Sequence, residues 1–206
     1  MTCRPTLAPL VRLEPLAGQR NAVPERTMTR EDLGRLLMQA CLIRGNFRLR
    51  SGAVVNEYFD KYRFESDPTL LEVTATELRK LLPRDTQALA GLELGGVPLA
   101  TVLSQLTRIP VLFVRKNAKM YGTCRLVEGG ELNGKSVVVV EDVVTSGGQL
   151  LQSSIQLRSL GAKVTEVVCV VDRETGGKES LAAEGFELRS LYTFSELKNL
   201  ASVQAG

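Results

Sequence analysis

Apolar residues recur along this chain at two spacings, and the switch between them marks its elements. Leu33, Leu36, Leu37, Ala40 and Cys41 lie at helical spacing, which predicts an amphipathic helix with one buried stripe. Thr29 is placed to cap its start, with Asp32 standing in for the usual Glu of a capping box, and Gly45 is placed to end it. Residues 47–49 and 54–59 alternate as short strands around Ser51-Gly52, an expected antiparallel hood. Asp67-Pro68, an N-cap followed by proline, opens a helix expected to run to about residue 82. Beyond it, strands are expected at 88–92, 111–115, 136–141, 164–171 and 188–192. Helices are expected at 98–106, at 148–160 closed by Gly161, at 178–183 and after a cap near Ser195. Regular strand–helix alternation predicts an α/β fold with a doubly wound, mostly parallel sheet and a small N-terminal hood.

Residues 1–27 break the pattern. They hold four of the eight prolines, and Arg4, Arg12, Arg20 and Arg26 face only Glu14 and Glu25 in acidic charge. The segment contains no serine and has poor amphipathicity, so it fits a transit peptide badly. It reads as a flexible extension, or as chain upstream of a true start at Met28. Residues 28–206 are expected to form the domain, with the hood contributed by about 28–65.

Composition narrows the chemistry. Hydrophobic content of 44% and charged content of 24% over 206 residues are those of an ordinary globular protein. The net charge of +3 is too small to argue for nucleic acid, and no apolar run approaches membrane-spanning length. Cys3, Cys41, Cys124 and Cys169 lie far apart without a Cys-x-x-Cys pair, so a reducing, cytoplasmic setting is expected. There is no histidine. That excludes Ser-His and Cys-His catalysis and leaves Lys, Arg, carboxylates, hydroxyls and a bound ion.

The most informative run is Val137-Val138-Val139-Val140-Glu141-Asp142-Val143-Val144-Thr145-Ser146-Gly147-Gly148. Four β-branched residues together predict a strand buried on both faces. Two carboxylates follow where open α/β sheets bind ligands, suited to sugar hydroxyls or a divalent ion. The hydroxyls and glycines after them suit a backbone nest for a phosphate ahead of a helix. The pattern implies a ligand that is both sugar and phosphate.

This run resembles the phosphoribosyl-diphosphate (PRPP) motif of type I phosphoribosyltransferases. From about residue 29 to residue 200 the chain is similar to the orotate phosphoribosyltransferases among them. Three further segments carry the likeness: Phe47-Arg48-Leu49-Arg50-Ser51-Gly52, Arg115-Lys116-Asn117-Ala118-Lys119-Met120-Tyr121-Gly122-Thr123 and Asp172-Arg173-Glu174. The resemblance implies transfer of a 5-phosphoribosyl group from PRPP to orotate, in pyrimidine synthesis. Glu141 and Asp142 would then meet the ribose hydroxyls. Val143, Val144, Thr145, Ser146, Gly147, Gly148 and Gln149 would wrap the 5-phosphate. The basic stretch over 115–130 would be a lid, with Lys119 stabilising the departing diphosphate and Arg115 and Lys116 beside it. Glu93, Leu94 and Gly95 match the family's diphosphate loop. Tyr58, Phe59, Thr145 and Arg173 would hold the flat, anionic base.

The same resemblance implies Mg²⁺, held mainly by PRPP and water rather than by the protein, and a homodimer that shares the lid across subunits. Three positions depart from the common pattern. Tyr121 replaces a frequent His and supplies no positive charge. Arg50 stands where Lys is common and changes the geometry of the charge. Val55 replaces a frequent Ser, leaving carboxylate recognition to backbone N–H groups near 51–54. Two rivals stay open at this stage: a type I enzyme for another base, and a PRPP-sensing regulator. The hood and Arg173 argue against the first, and Lys116 with Lys119 against the second. A fused decarboxylase is not expected, since little sequence follows residue 200. No nucleic-acid or membrane partner is expected.

Overall fold

Valines of the central strand point alternately to two separate hydrophobic clusters. Val138 and Val140 pack with Leu33, Leu78, Leu99, Leu197 and Val170, and Val137 and Val139 with Leu150, Leu157, Leu181 and Val167. Successive side chains on a strand face opposite ways, so an unbroken apolar run requires cover on both faces. The computed structural model describes residues 28–48, 52, 54–116 and 126–202; the extension expected over 1–27 lies outside them.

Helix α1 (Arg30–Cys41) opens on the expected capping box of Thr29 and Asp32. It ends earlier than Gly45 predicts. Leu42, Ile43 and Arg44 pair with Phe59, Tyr58 and Glu57, and this pairing overrides the helical pattern. Strand β1 is therefore Leu42–Arg48, antiparallel to β2 (Val54–Phe59), with an irregularity between Arg44 and Phe47. A helical turn that periodicity did not reveal, α2 (Tyr62–Ser66), follows. The Asp67 carboxylate then caps α3 (Pro68–Leu78), accepting from Thr69 N at 2.9 Å and Leu70 N at 3.0 Å. The expected single helix to 82 narrows to a 3₁₀ turn at Arg79–Leu81. Pro83 drives Leu82 into extended backbone, which stops the helix.

The main sheet holds β3 (Ala88–Leu92), β4 (Val111–Val114), β5 (Val127–Glu128), β6 (Val137–Val144), β7 (Glu166–Asp172) and β8 (Glu187–Thr193), in the order β5-β4-β3-β6-β7-β8. All neighbours are parallel except β5, an edge strand not foreseen from the sequence. Between them run α4 (Gly96–Thr107), α5 (Gly148–Ser159) and α6 (Gly177–Ala183), with α7 (Phe194–Ser202) last. Helices α1, α3, α4 and α7 cover one face, and α5 and α6 the other. Thus α1, expected as part of the hood, belongs to the main core. Among the described residues no helix is long and apolar enough to cross a membrane.

Arg158 closes the α5–α6 face. Its guanidinium donates to Val164 O at 2.6 Å, Glu184 O at 2.8 Å and Gly185 O at 2.7 Å. It also lies 3.6 Å from the centroid of the Phe186 ring. Arg158→Met removes these charged donors and leaves the carbonyls without them, so a loss of about 2–4 kcal/mol is expected. Denaturant titration checks it, and substrate KM values should stay unchanged because Arg158 is remote from the carboxyl ends of the strands.

Candidate functional site

Strand β6 carries Glu141 and Asp142 inside its paired length, with Glu141 opposite Cys169 and Val144 opposite Asp172. Extending β6 beyond residue 141 sets the two carboxylates on opposite faces. The Asp142 side chain is 0% exposed, whereas Glu141 is partly open. Val143 N donates to Asp142 Oδ1 at 2.5 Å, and the Lys61 ammonium forms an ion pair with Asp142 Oδ2. Burial alone would raise the Asp142 pKa. Hydrogen bonds from Glu141 and Glu65, with the Lys61 charge, outweigh burial and hold it below the ordinary aspartate value. Burial and then the neighbouring Asp142 charge push Glu141 well above its ordinary value. One firmly ionised carboxylate thus sits between two more readily protonated ones.

Thr145 and Ser146 are exposed, and the loop turns at Gly147, whose φ of 74° is left-handed and suits glycine. The Leu151 N to Gly147 O bond at 2.7 Å starts the α5 ladder. The N–H groups of Gly148, Gln149 and Leu150 precede that ladder and face the loop, the ordinary anion-binding arrangement of a helix start. Gln149 turns its amide along α5, 3.5 Å from Ser153 Oγ. Val144 is buried beneath the loop, and Val143 faces a cavity.

That cavity, of about 390 Å³, unites the four residues expected to hold a base: Tyr58, Phe59, Thr145 and Arg173. Lys61 and Val55 complete much of its wall. Tyr58 is 42% exposed and offers its ring, while Phe59 is 5% exposed and packs edge-on to Phe194 with centroids 6.0 Å apart. The Arg173 guanidinium lies over the Phe194 ring, 3.9 Å from its centroid. Burial lowers its pKa from the ordinary arginine value, yet an arginine stays charged. Its neighbours are committed elsewhere: Glu174 accepts from Ser195 N at 2.8 Å, and Asp172 Oδ1 accepts from Glu174 N at 2.9 Å. Both bonds fix the turn that carries Arg173.

The loop after β3 closes the opposite side of the site. A cis peptide joins Glu93 to Leu94, and Leu94 is exposed. Gly95 allows the closest approach: a Cβ there would lie 1.4 Å from Asp142 Oδ2. Lys116 N donates to Glu93 Oε2 at 3.1 Å, and Arg115 N to Leu126 O at 3.0 Å, so the base of the expected lid is tied to this loop. Arg50, Lys119 and Tyr121 lie outside the described residues. Among the described residues no group of three or more acidic or sulfur side chains is placed to hold a metal ion.

Lys61, Glu65 and Phe194 were not identified from the sequence. Lys61 and Glu65 fall in a run of mixed charge that resembles any solvated turn, and Phe194 reads as an apolar residue at the start of a helix. None carries a local cue to its partner.

The chain matches the family model for the phosphoribosyl transferase domain over residues 72–195. An orotate phosphoribosyltransferase of a Nocardioides species is 51% identical over 157 residues, covering 76% of this chain and 88% of the relative. Its counterpart from Methanocella arvoryzae is 48% identical over 153 residues, covering 74% and 87%. The crystal structure of the Mycobacterium tuberculosis orotate phosphoribosyltransferase in complex with PRPP superposes with a TM-score of 0.71 at 31% identity, covering 82% of this chain and 98% of that one. A domain match over more than half the chain, joined to relatives of this identity and coverage, means that the chain belongs to the orotate phosphoribosyltransferase family.

Proposed function

We propose that this protein transfers the 5-phosphoribosyl group of PRPP to orotate, releasing diphosphate and forming orotidine 5′-phosphate. The observation that carries this reading is a cavity at the carboxyl edge of the sheet. There Arg173, Tyr58 and Thr145 meet beside the Glu141–Gly148 run. In the reaction the bond from C1 to the diphosphate oxygen breaks, and the diphosphate leaves with the electron pair. The orotate N1 forms the new bond to C1 and gives up its proton. Positive charge builds on the ribose and negative charge on the diphosphate, so the residues have mainly to position and neutralise.

Glu141, the more open carboxylate, is suited to accept from the ribose hydroxyls and to favour positive charge on the ring. Asp142 acts from beneath by holding Lys61 and the Val143 amide. The loop 145–148 takes the 5-phosphate on its N–H and hydroxyl groups. Gly95 leaves room for the diphosphate against the backbone. Arg173 answers the negative charge of orotate, and the Tyr58 ring offers a stacking surface. Arg50, Arg115, Lys116, Lys119 and Tyr121 are proposed for the diphosphate by sequence resemblance. Mg²⁺ would arrive on the oxygens of PRPP and water, where it would neutralise diphosphate charge. A homodimer with a shared lid belongs to the same proposal. So does a cytoplasmic setting, which free, buried Cys41 and Cys169 support.

The test is the fall in orotate absorbance on mixing the protein with orotate, PRPP and Mg²⁺, run against a panel of other bases. Orotate alone should be consumed, and Lys119→Ala should abolish most of the rate. Turnover of another base with orotate untouched would sink the base assignment. A second variant probes the platform under Arg173. Phe194→Leu removes a cation–π contact of about 0.5–2 kcal/mol, so the orotate KM should rise roughly 2- to 30-fold. The PRPP KM should not move; parallel rises in both would mean a general loss of structure.

A further inference from the structure

Two buried carboxyl oxygens converge on one side of Gly95, and among the described residues the only cation against either is the Lys61 ammonium paired with the first. They are Asp142 Oδ2 and Glu65 Oε1. A Cβ built at Gly95 would lie 1.4 Å from the first and 2.9 Å from the second, so only a glycine leaves space for both. Ionised carboxylates accept hydrogen bonds and donate none. Two of them brought together in a buried setting repel each other, and with the Lys61 ammonium taken by Asp142 the Glu65 oxygen is left unsatisfied. A proton on one of them removes both problems. It turns that group into a donor and the other into its acceptor.

The surrounding charges select which group carries it. Asp142 already faces the Lys61 ammonium and the Val143 amide. Glu65, on α2, faces Asp142 together with Asp60 and Lys61. Arg63, on the same turn, lies 3.6 Å from Asp60, and Glu141 presses on Asp142 from β6. The Cys41 thiol of α1, itself pushed up to about 12 by burial first, is neutral. Acids thus outnumber the facing cations, and the Lys61 charge is committed to Asp142.

We propose that Glu65 is a positioning residue of the phosphoribosyl site: as a neutral carboxylic acid it donates a hydrogen bond to the Asp142 carboxylate and holds the hood helix α2 against β6 and the Gly95 loop. Burial first, and then the hydrogen bond and charge of Asp142, raise its pKa to about 8, in keeping with that state. The device lowers the negative charge around a site that must admit the diphosphate. It also makes that geometry depend on a proton, because ionising Glu65 places two anions against the Gly95 backbone.

Only the kinetic part rests on the phosphoribosyl-transfer reading; stability tests Glu65 without it. A carboxyl with a folded pKa near 8 and an ordinary value of 4.5 binds more protons in the native state than in the unfolded one. Its contribution to stability is present below 4.5 and is lost as pH rises towards 8. Denaturant midpoints of the full chain should therefore fall across this window more steeply in wild type than in Glu65→Gln, which keeps a donor and does not titrate. In steady-state kinetics the PRPP KM of wild type should rise above pH 8, by up to about tenfold per unit. Glu65→Gln should stay flat, and Glu65→Ala should be weak at every pH. Superimposable pH profiles for wild type and Glu65→Gln, in stability and KM alike, would overturn the proposal. A Glu65→Ala chain that fails to fold leaves the decision with Glu65→Gln. Loss of the wild-type reaction would count against phosphoribosyl transfer, while the stability curves would still decide Glu65.

Discussion

A carboxylate without solvent exposure, Asp142, stands in the middle strand of the sheet, and the arrangement around it follows from the need to meet that charge. Lys61 reaches it from the segment after β2, across the carboxyl edge of the sheet. An uncompensated buried charge destabilises a protein by about 3–5 kcal/mol, so the pair anchors the hood as well as neutralising the strand. Because Lys61 also walls the cavity beside Tyr58 and Arg173, the contact that seats the hood shapes that cavity. Removing either partner would therefore disturb fold and site together.

The rest of the scaffold keeps that contact fixed. Valines on both faces of β6 are clamped by helices on each side, which leaves the central strand no freedom to shift register. Its carboxyl end lies between β3 and β7, so the Gly95 loop and the Arg173 turn arrive on either side of Glu141 and Asp142. Arg173 is held by stacking on Phe194 while its acidic neighbours bind Ser195 and backbone. A guanidinium positioned by an aromatic ring keeps its charge available for an anionic base, which a salt bridge would have consumed.

Electrostatically the site is a group of acids that must receive a polyanion. Its design limits how many of those acids are ionised. Asp142 carries the fixed negative charge, and burial raises Glu141 and Glu65 towards their neutral forms. On the proposed reading, basic residues from other parts of the chain attract the phosphates while the acids meet the sugar.

The sequence alone determined much of this architecture, because its strongest signals are local. The valine run, the paired acids and the Thr145–Gly148 loop lie on adjacent residues, and backbone geometry carries them to the carboxyl edge of a parallel sheet. The position of Arg173 just past β7, and the caps at Thr29 and Asp67, were legible for the same reason. Tertiary structure decided what depends on distant partners. Helix α1 stops at Cys41 because β2 pairs with the residues after it, and β5 exists because β4 offers an edge. Both Tyr58 and Phe59 line the cavity, and which of them offers an open ring was decided by Phe194, against which the Phe59 ring packs. Lys61 and Glu65 look like surface charges in a polar turn until the fold sets them against Asp142, some eighty residues away. An ion pair or a shared proton has no period in the sequence; it arises only when the chain brings its two ends together.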